Sequence, residues 1–390
     1  MNNFTMMQKI YDSLKNLKYD AVLVCGSDNA QYLSGALLPF APYRRGQVFM
    51  VFLTKEGESA CFCPAEWEST VRETGWVKSI IPYNSNGEDP GGLIEAVAQL
   101  LKNMKTTLSE IGIDLDRMPR YLFEALRVRL PGLRWVGCDS WLAKLRMVKT
   151  PAEVQLLEEA AFKTDHGING AIHHVTVDRR ITALTLAEEL RVHTEERGID
   201  LVGYHAASHV SSGDEAKTIW SNPPKYGYSM TNDLHSGEMV RMKILTCHNG
   251  YWADATRMMI MGDPTPQQSE AFKQMVLLRD KALELIKPGA KCSDVYAGIC
   301  AEASKANIAI LEGMELGHGV GVTPWESPFI SPCDSTILEE GMVLVLDPFV
   351  RDPAGNIWQS KDTLVVTDCG NRILGWYKDW REPYIPIASI

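Results

Sequence analysis

The chain has 390 residues, of which 45% are hydrophobic and 23% are charged, and its formal net charge at pH 7 is −10. This composition is typical of a globular protein, and the length exceeds that of one ordinary domain, so we expect two domains. An acidic chain without a basic run is a poor match for nucleic acid or an anionic membrane surface. A small-molecule substrate is therefore the expected partner.

The first twenty residues, MNNFTMMQKIYDSLKNLKYD, are polar and charged throughout and lack the apolar core of a secretory signal. No stretch approaches the roughly 18 uninterrupted apolar residues of a membrane span. The nine cysteines are an odd number and lie mostly in apolar segments, which suits buried thiols in a reducing compartment. We expect a cytoplasmic protein without a membrane partner.

The first third of the chain alternates helical and strand patterns. A helix is expected at Met7–Leu17, strands at Tyr19–Cys25 and Gln47–Leu53, and a second helix at Leu93–Asn103, with Leu108–Ile113 leading into a further strand. Such alternation predicts an α/β layer.

The sequence Thr-Pro at residues 150–151, with a glutamate two residues later, is a helix-start signal. We place the domain boundary there, which gives domains 1–150 and 151–390. The second domain carries four helical and four strand patterns: helices at Val154–Ile172, Leu184–Glu196, Gln267–Ile286 and Cys292–Asn307, and strands at Met239–Cys247, Tyr251–Met261, Met342–Leu346 and Thr363–Thr367.

Several separated segments resemble, in content and order, the family that contains creatinase, prolidase and methionine aminopeptidase. They are Arg146–Glu153, Gly250–Arg257, Ile286–Gly289, Gly317–Gly321, Glu340–Pro348 and Lys361–Val366. No segment is specific alone, but together and in order they are. Asn29–Gly35 extends the resemblance more loosely into the first domain. The resemblance implies an α/β (α+β) fold, with an N-terminal creatinase-like α/β domain before a C-terminal pita-bread domain. It also implies a homodimer.

Metal-binding members of this family hold two divalent cations with two aspartates, one histidine and two glutamates. By the resemblance, Asp254 and His318 match one aspartate and the histidine. The other aspartate falls at Lys243, the first glutamate at Asp347 and the second glutamate at Lys361.

The charges of two lysines and two aspartates already sum to zero, and an ammonium group cannot ligate a cation. Because buried charges persist when they are paired, we interpret Lys243 and Lys361 as substitutes for the positive charge of the metals. We therefore expect no metal site and no cofactor. The alternative is a register error of a residue or two, with both lysines on the surface.

Two further family histidines, which touch substrate in the peptidases, fall at Trp220 and Trp325. This replacement suggests an aromatic-walled pocket that suits a flat or cationic small molecule. Two core tryptophans are the alternative.

Four more residues are candidates for substrate binding. His205 and His209 lie on the segment that leads into the pocket, although a lone histidine in a loop is often only structural. Arg44 and Arg45 lie where creatinase-like enzymes supply an arginine to the neighbouring subunit, and one of them is expected to bind a substrate carboxylate. The sequence does not distinguish between them, and surface arginines are the alternative.

His318, Asp254 and Asp347 are the candidates for proton transfer or nucleophilic attack, and Lys243 or Lys361 for stabilising a developing anion. Creatinase is itself a metal-free member of this family that hydrolyses a C–N bond, but its catalytic histidine and glutamate fall near Trp220 and Thr256 here. Creatinase activity itself is therefore not expected.

The leading hypothesis is a metal-independent hydrolase, or with less support a lyase, that acts on a C–N bond of a small polar molecule such as an amidine, amide or N-heterocycle. Two alternatives stay open. One is a catalytically inactive pita-bread protein used for binding. The other is a metal-dependent Xaa-Pro peptidase whose ligands have been misaligned.

Overall fold

The computed structural model describes residues 3–38, 47–85, 90–104, 108–173, 175, 181–198, 207–217, 233–310, 313–376 and 380–386. The chain divides into two compact units, one comprising Met1–Arg146 and the other Met147–Asp200 with Tyr204–Ile390. Both units mix helices and strands. Within the described ranges, no helix is long and apolar enough to cross a bilayer.

The first unit is built on a mixed six-stranded sheet. Its strands are β1 (Ala21–Val24), β2 (Met50–Thr54), β3 (Ser59–Pro64), β4 (Ser79–Tyr83), β5 (Glu110–Ile113) and β6 (Arg134–Gly137). Its helices are α1 (Asn3–Lys15), α2 (Ser27–Ser34), α3 (Glu68–Thr74), α4 (Gly91–Asn103), α5 (Arg120–Arg129) and α6 (Asp139–Met147). The strands are hydrogen-bonded in the order β4-β3-β2-β1-β5-β6.

The central strand β1 is apolar throughout and buried along its whole length. β1 pairs antiparallel with β2 and parallel with β5, and all four of its residues are buried. A strand buried on both faces reads as a continuous apolar run and not as an alternating one. The strand predicted at Tyr19–Cys25 is β1, and in the structure it is shorter, at Ala21–Val24.

A buried ion pair fixes the start of α2 in this unit. The Arg146 Nη1 group donates to Asp28 Oδ2 at 2.9 Å and to Asn29 Oδ1 at 2.7 Å. Burial alone would raise the pKa of Asp28, but the guanidinium groups of Arg146 and Arg117 outweigh burial and hold that pKa below 3.8, its ordinary value. Asp28 is therefore more acidic in the folded chain than in the unfolded chain.

We expect this carboxylate to make the first unit sensitive to acid. Because the folded-state pKa is depressed, the stabilisation is present above about pH 4 and is lost as the pH falls through the folded-state pKa. When the pH is lowered from ~7 to ~3, the free energy of unfolding measured with urea should fall less for Asp28→Asn than for the unaltered chain. The exposed Asp116→Asn variant is the control, and an equal loss in all three proteins would contradict the assignment.

The second unit contains two larger sheets and a hairpin. Its helices are α7 (Pro151–His173), α8 (Ala183–Glu195), α9 (Pro266–Leu285) and α10 (Cys292–Lys305). Its strands are β7 (Ala207–Ser212), β8 (Met239–His248), β9 (Tyr251–Ile260), β10 (Gly317–Gly319), β11 (Glu326–Phe329), β12 (Val343–Leu346), β13 (Phe349–Arg351), β14 (Ile357–Gln359), β15 (Asp362–Val366) and β16 (Asn371–Ile373). The sheets are β7-β8-β9, β11-β10-β12-β15-β16 and the pair β13-β14.

The long helices of this unit begin at side-chain caps. At the start of α7, Thr150 N donates to Glu153 Oε2 at 2.7 Å, and Glu153 N donates to Thr150 Oγ1 at 3.3 Å. Thr265 and Gln268 form the same reciprocal arrangement at the start of α9. Each capping box satisfies backbone N–H groups that have no partner inside the helix.

The β7-β8-β9 sheet has one apolar face, and its other face mixes charged and apolar side chains. Val240, Met242 and Ile244 of β8 join a core cluster that includes residues of α7 and α8. Because side chains alternate along a strand, Arg241 and Lys243 point to the opposite face. That opposite face carries the candidate site.

Candidate active site

Lys243 and Asp254 are brought together by the antiparallel register of β8 and β9. Lys243 pairs with Thr256, and Leu245 pairs with Asp254. Lys243 and Asp254 are therefore diagonal neighbours on one face, within reach of a long side chain. The distance from Lys243 Nζ to Asp254 Oδ2 is 4.0 Å.

Lys361 joins this pair through a backbone bridge between the two larger sheets. Lys361 N donates to Thr256 O at 3.2 Å, and Thr256 N donates to Lys361 O at 3.4 Å. The Lys361 ammonium lies 2.8 Å from Asp254 Oδ2 and 3.1 Å from Asp347 Oδ2. Asp347 directly follows β12, and its other oxygen accepts a hydrogen bond from Gln359 Nε2 at 2.7 Å.

These charges alter one another's protonation. Burial alone would lower the pKa of Lys361, but the carboxylates of Asp254 and Asp347 outweigh it and raise that pKa above its ordinary value. Burial would likewise raise the pKa of Asp254, and Lys361 and Lys243 together lower it. Lys361 and Asp254 are thus held as an ion pair at neutral pH.

Lys243 is in a different position from Lys361. Burial lowers the pKa of Lys243 from its ordinary value, and the positive charge of Lys361 adds to that effect, while Asp254 opposes it. Its ammonium lies over the ring of Trp325, at 5.2 Å from the centroid, and Lys361 Nζ lies at 5.6 Å from the same centroid. The indole therefore faces both ammonium groups.

His318 on β10 completes the centre. Its ring lies 5.4 Å from that of Trp325, centroid to centroid. Its Nδ1 lies 3.1 Å from Gly319 O, and because a carbonyl only accepts, Nδ1 carries the hydrogen and Nε2 is the acceptor. Burial, and then Lys361, lower the pKa of His318 to about 4. The imidazole is therefore neutral at pH 7.

Several buried polar atoms of this centre have no hydrogen-bond partner within the part of the chain that the structure describes. They are His209 Nε2, Asp254 Oδ1, Thr256 Oγ1 and His318 Nε2. Buried polar groups are normally satisfied, so atoms of this kind gathered in one place indicate a site that a ligand or water completes.

A salt bridge beside Trp325 was not predicted from the sequence. Lys149 Nζ lies 2.9 Å from Glu326 Oε1, and both side chains are buried. Thr323 Oγ1 donates to Glu326 Oε2 at 3.1 Å. The salt bridge anchors the residue directly after Trp325. Lys149 stands in one of the motif segments, but nothing in the sequence points to its partner 177 residues away.

Of the residues predicted to bind substrate, the structure describes His209 and Trp325. His209 on β7 is the cross-strand partner of Lys243. Burial, followed by the charges of Arg241 and Lys243, lowers its pKa to about 4. Trp220, His205, Arg44 and Arg45 lie outside the described residues.

Known proteins match this chain along almost its whole length. Residues 155–368 match the model described as Metallopeptidase family M24, and residues 6–148 match the Creatinase/Prolidase N-terminal domain. A Pyrococcus horikoshii protein named Xaa-Pro dipeptidase is 23% identical over 371 residues, which are 94% of this chain and 96% of that protein. An Xaa-Pro dipeptidase of Lactobacillus delbrueckii subsp. lactis is 24% identical over 372 residues, 93% and 95% of the two chains. The crystal structure of the prolidase from Pyrococcus horikoshii OT3 has a TM-score of 0.81 at 20% identity, covering 97% of this chain and 100% of that one.

These matches confirm the expected relation to the creatinase and prolidase family. They also confirm the fold class, an N-terminal creatinase-like α/β domain with a C-terminal pita-bread domain.

The matched family implies metal ions, and the side chains at this centre do not fit a metal pair. An ammonium group has three donors and no lone pair, so Lys243 and Lys361 in their charged forms offer nothing to a cation. Lys361 already occupies the place between the two carboxylates that it touches. Over the described ranges, no group of three or more His, Cys, Asp or Glu side chains is arranged to hold a metal ion.

The leading hypothesis from the sequence is wrong. It assigned a metal-independent, creatinase-like hydrolase or lyase of an amidine, amide or N-heterocycle, whereas the chain matches a metallopeptidase family and its full-length relatives are named dipeptidases. Altered residues at a few ligand positions do not define the substrate class, whereas the likeness extends along the whole chain. The coarser class, a hydrolase of C–N bonds, agrees with the family match.

Proposed function

We propose, because the chain belongs to metallopeptidase family M24, that it acts at the C–N bond of short peptides, with Xaa-Pro dipeptides as the substrate class. The observation that carries this proposal is the match over residues 155–368, a range that includes Asp254, His318 and Asp347. The names and full-length coverage of the two dipeptidase relatives support the substrate class.

In this proposal the centre contacts the peptide through its unsatisfied acceptors. His318 Nε2, held neutral and fixed by the bond at Nδ1, accepts a proton or a hydrogen bond, and Asp254 Oδ1 accepts a second hydrogen bond. Lys361 keeps Asp254 ionised, and its contacts hold Asp254 and Asp347 in place. Trp325 forms an apolar wall.

Other parts of the proposal are a cytoplasmic homodimer and a division into domains 1–150 and 151–390. Trp220, His205 and one of Arg44 and Arg45 stay proposed contacts of the substrate, the arginine from the neighbouring subunit. They are testable as alanine variants in the same peptide assay.

His318→Ala is expected to lower kcat/KM for Gly-Pro by about 100-fold or more, the range typical of a group that transfers a proton or stabilises its transfer. Proline release, measured by chromatography, is the readout. His235→Ala, which lies outside the centre, is the control. Equal rates for His318→Ala and the unaltered chain would exclude the role given to His318.

A second candidate function is binding of such a peptide without cleavage. The observation in its favour is the Lys361 ammonium, which is paired with both Asp254 and Asp347. Calorimetric binding of Gly-Pro with no proline released after prolonged incubation would favour this candidate over hydrolysis.

A further inference from the structure

The backbone bridge that carries Lys361 is clamped by a buried arginine. Thr256 and Lys361 each donate a backbone hydrogen bond to the other's carbonyl oxygen. Arg257, which is 4% exposed, donates from Nη1 to both of these oxygens, at 2.6 Å to Lys361 O and 3.0 Å to Thr256 O. Because a carbonyl oxygen has two lone pairs, each of the two accepts from its bridge partner and from Arg257 at once. The arginine therefore ties together the two backbone segments that meet at the centre.

Arg257 approaches the bridge from the side away from the centre. Side chains alternate along a strand, so Arg257 points to the face of β9 opposite to Asp254 and Thr256. Ala255 and Met259, which share the face of Arg257, belong to the core cluster that includes residues of α7 and α8. An effect of Arg257 on the chemistry therefore passes through the backbone of the bridge and not through contact with substrate.

A buried carboxylate holds the guanidinium of Arg257 in this place. Asp362 directly follows Lys361, and its Oδ1 lies 2.7 Å from Arg257 Nη2. Arg279 Nε donates to the other oxygen, Asp362 Oδ2, at 2.6 Å. Burial alone would raise the pKa of Asp362, but the two guanidinium groups outweigh it and lower that pKa below its ordinary value. Arg257 thus contacts Lys361 at its carbonyl and Asp362 at its carboxylate.

The position of the Lys361 ammonium depends on where its backbone is fixed. Its Nζ lies 2.8 Å from Asp254 Oδ2 and 3.1 Å from Asp347 Oδ2. A movement of about 1 Å takes a charge-assisted hydrogen bond of this length out of range. Because the lysine stem is flexible, a fixed backbone is needed to hold the ammonium between two carboxylates.

We propose that Arg257 is a positioning residue: by clamping the bridge it holds the Lys361 ammonium between Asp254 and Asp347. Its contribution to turnover rests on the proposed function, whereas the placement of Lys361 does not. A guanidinium suits this task because its donors lie in one rigid plane and can serve two carbonyl groups and a carboxylate together. An ammonium at the end of a flexible stem does not reproduce that arrangement.

Arg257→Lys is the test variant, because it keeps a positive charge beside Asp362 and removes the planar group. In its crystal structure we expect the Lys361 ammonium to lie beyond about 3.5 Å from at least one of its two carboxylates. For Gly-Pro we expect kcat per folded molecule to fall about 10-fold or more and KM to change less than about 3-fold, since a misplacement of about 1 Å can cost about 100-fold in rate. A merely structural role would lower the amount of folded protein and leave kcat per folded molecule unchanged. Arg257→Gln is the second variant in case Arg257→Lys does not fold.

Arg279→Lys is the matched control, since it makes the same change at the arginine on the other oxygen of Asp362. It should keep kcat within about 3-fold of the unaltered chain. Equal falls of kcat in Arg257→Lys and Arg279→Lys overturn the inference, because they trace the effect to Asp362 and not to the bridge.

Two further results overturn the inference. One is a Lys361 ammonium that keeps both contacts in the Arg257 variants, and the other is an unchanged kcat in a variant whose ammonium has moved. If Lys361 moves but the unaltered chain does not cleave Gly-Pro, the placement of Lys361 by Arg257 stands and the proposed function fails. If Gly-Pro is cleaved and Lys361 stays in place, the proposed function stands and the inference fails.

Discussion

Lys361→Met is expected to lower the free energy of unfolding by about 3–5 kcal/mol, because it leaves two buried carboxylates facing each other without the cation between them. Lys361 is 3% exposed and Asp254 is fully buried, so solvent screens this pair little. Urea unfolding of the purified proteins, followed by circular dichroism, measures the change.

Two variants make this result specific. Lys305→Met removes a lysine whose side chain is 78% exposed, and it should change stability by no more than about 0.5 kcal/mol. Replacing Lys361 by methionine together with Asp254→Asn and Asp347→Asn removes all three charges and should recover about 2 kcal/mol or more. A loss below about 1 kcal/mol for Lys361→Met would mean that the ion pairs do not hold the centre together.

The second large effect is expected from exchanging both lysines for acids. Lys243→Asp combined with Lys361→Glu surrounds His318 with four carboxylates, a set of oxygen and imidazole ligands that suits divalent metals. The variant should bind Mn²⁺ stoichiometrically, and we expect the unaltered chain to retain none. Its unfolding free energy should rise by about 2.7 kcal/mol when Mn²⁺ reaches 100 times its dissociation constant.

Equilibrium dialysis followed by elemental analysis gives the metal content of each protein. Lys243→Asp alone is the matched control, because Lys361 still occupies its place between Asp254 and Asp347. Stoichiometric Mn²⁺ in the unaltered chain would contradict the finding that these side chains do not fit a metal pair.

The long helices and strands could be predicted from the sequence because each is long enough for the spacing of its apolar residues to repeat. The helix expected at Gln267–Ile286 is found at Pro266–Leu285, and the strand expected at Met239–Cys247 is found at Met239–His248. β10, β13, β14 and β16 have three residues each, too few to show alternation, and they were not predicted.

The candidate site could be predicted only in part. Motif spacing led to Lys361 and Asp254, which the structure brings within 2.8 Å. Arg241 was overlooked although it lies two residues before Lys243, which places both on one face of a strand. Gln359, which donates to Asp347, and Glu326 had no signal, because their contacts depend on how distant segments pack.

The balance of charge between the lysines and the aspartates led to the wrong substrate class. That balance describes the charges of the side chains at the centre, but it does not identify the substrate. The substrate class is supported instead by likeness along the whole chain, in which the altered positions are a small part.

The measurement that tests the account most directly is the rate of cleavage of Ala-Pro beside Ala-Ala by the purified protein, with proline and alanine release followed over time. The account predicts cleavage of Ala-Pro with a kcat/KM about 10-fold or more above that for Ala-Ala, a difference of about 1.4 kcal/mol. Failure to cleave either peptide, in a folded protein, would contradict it.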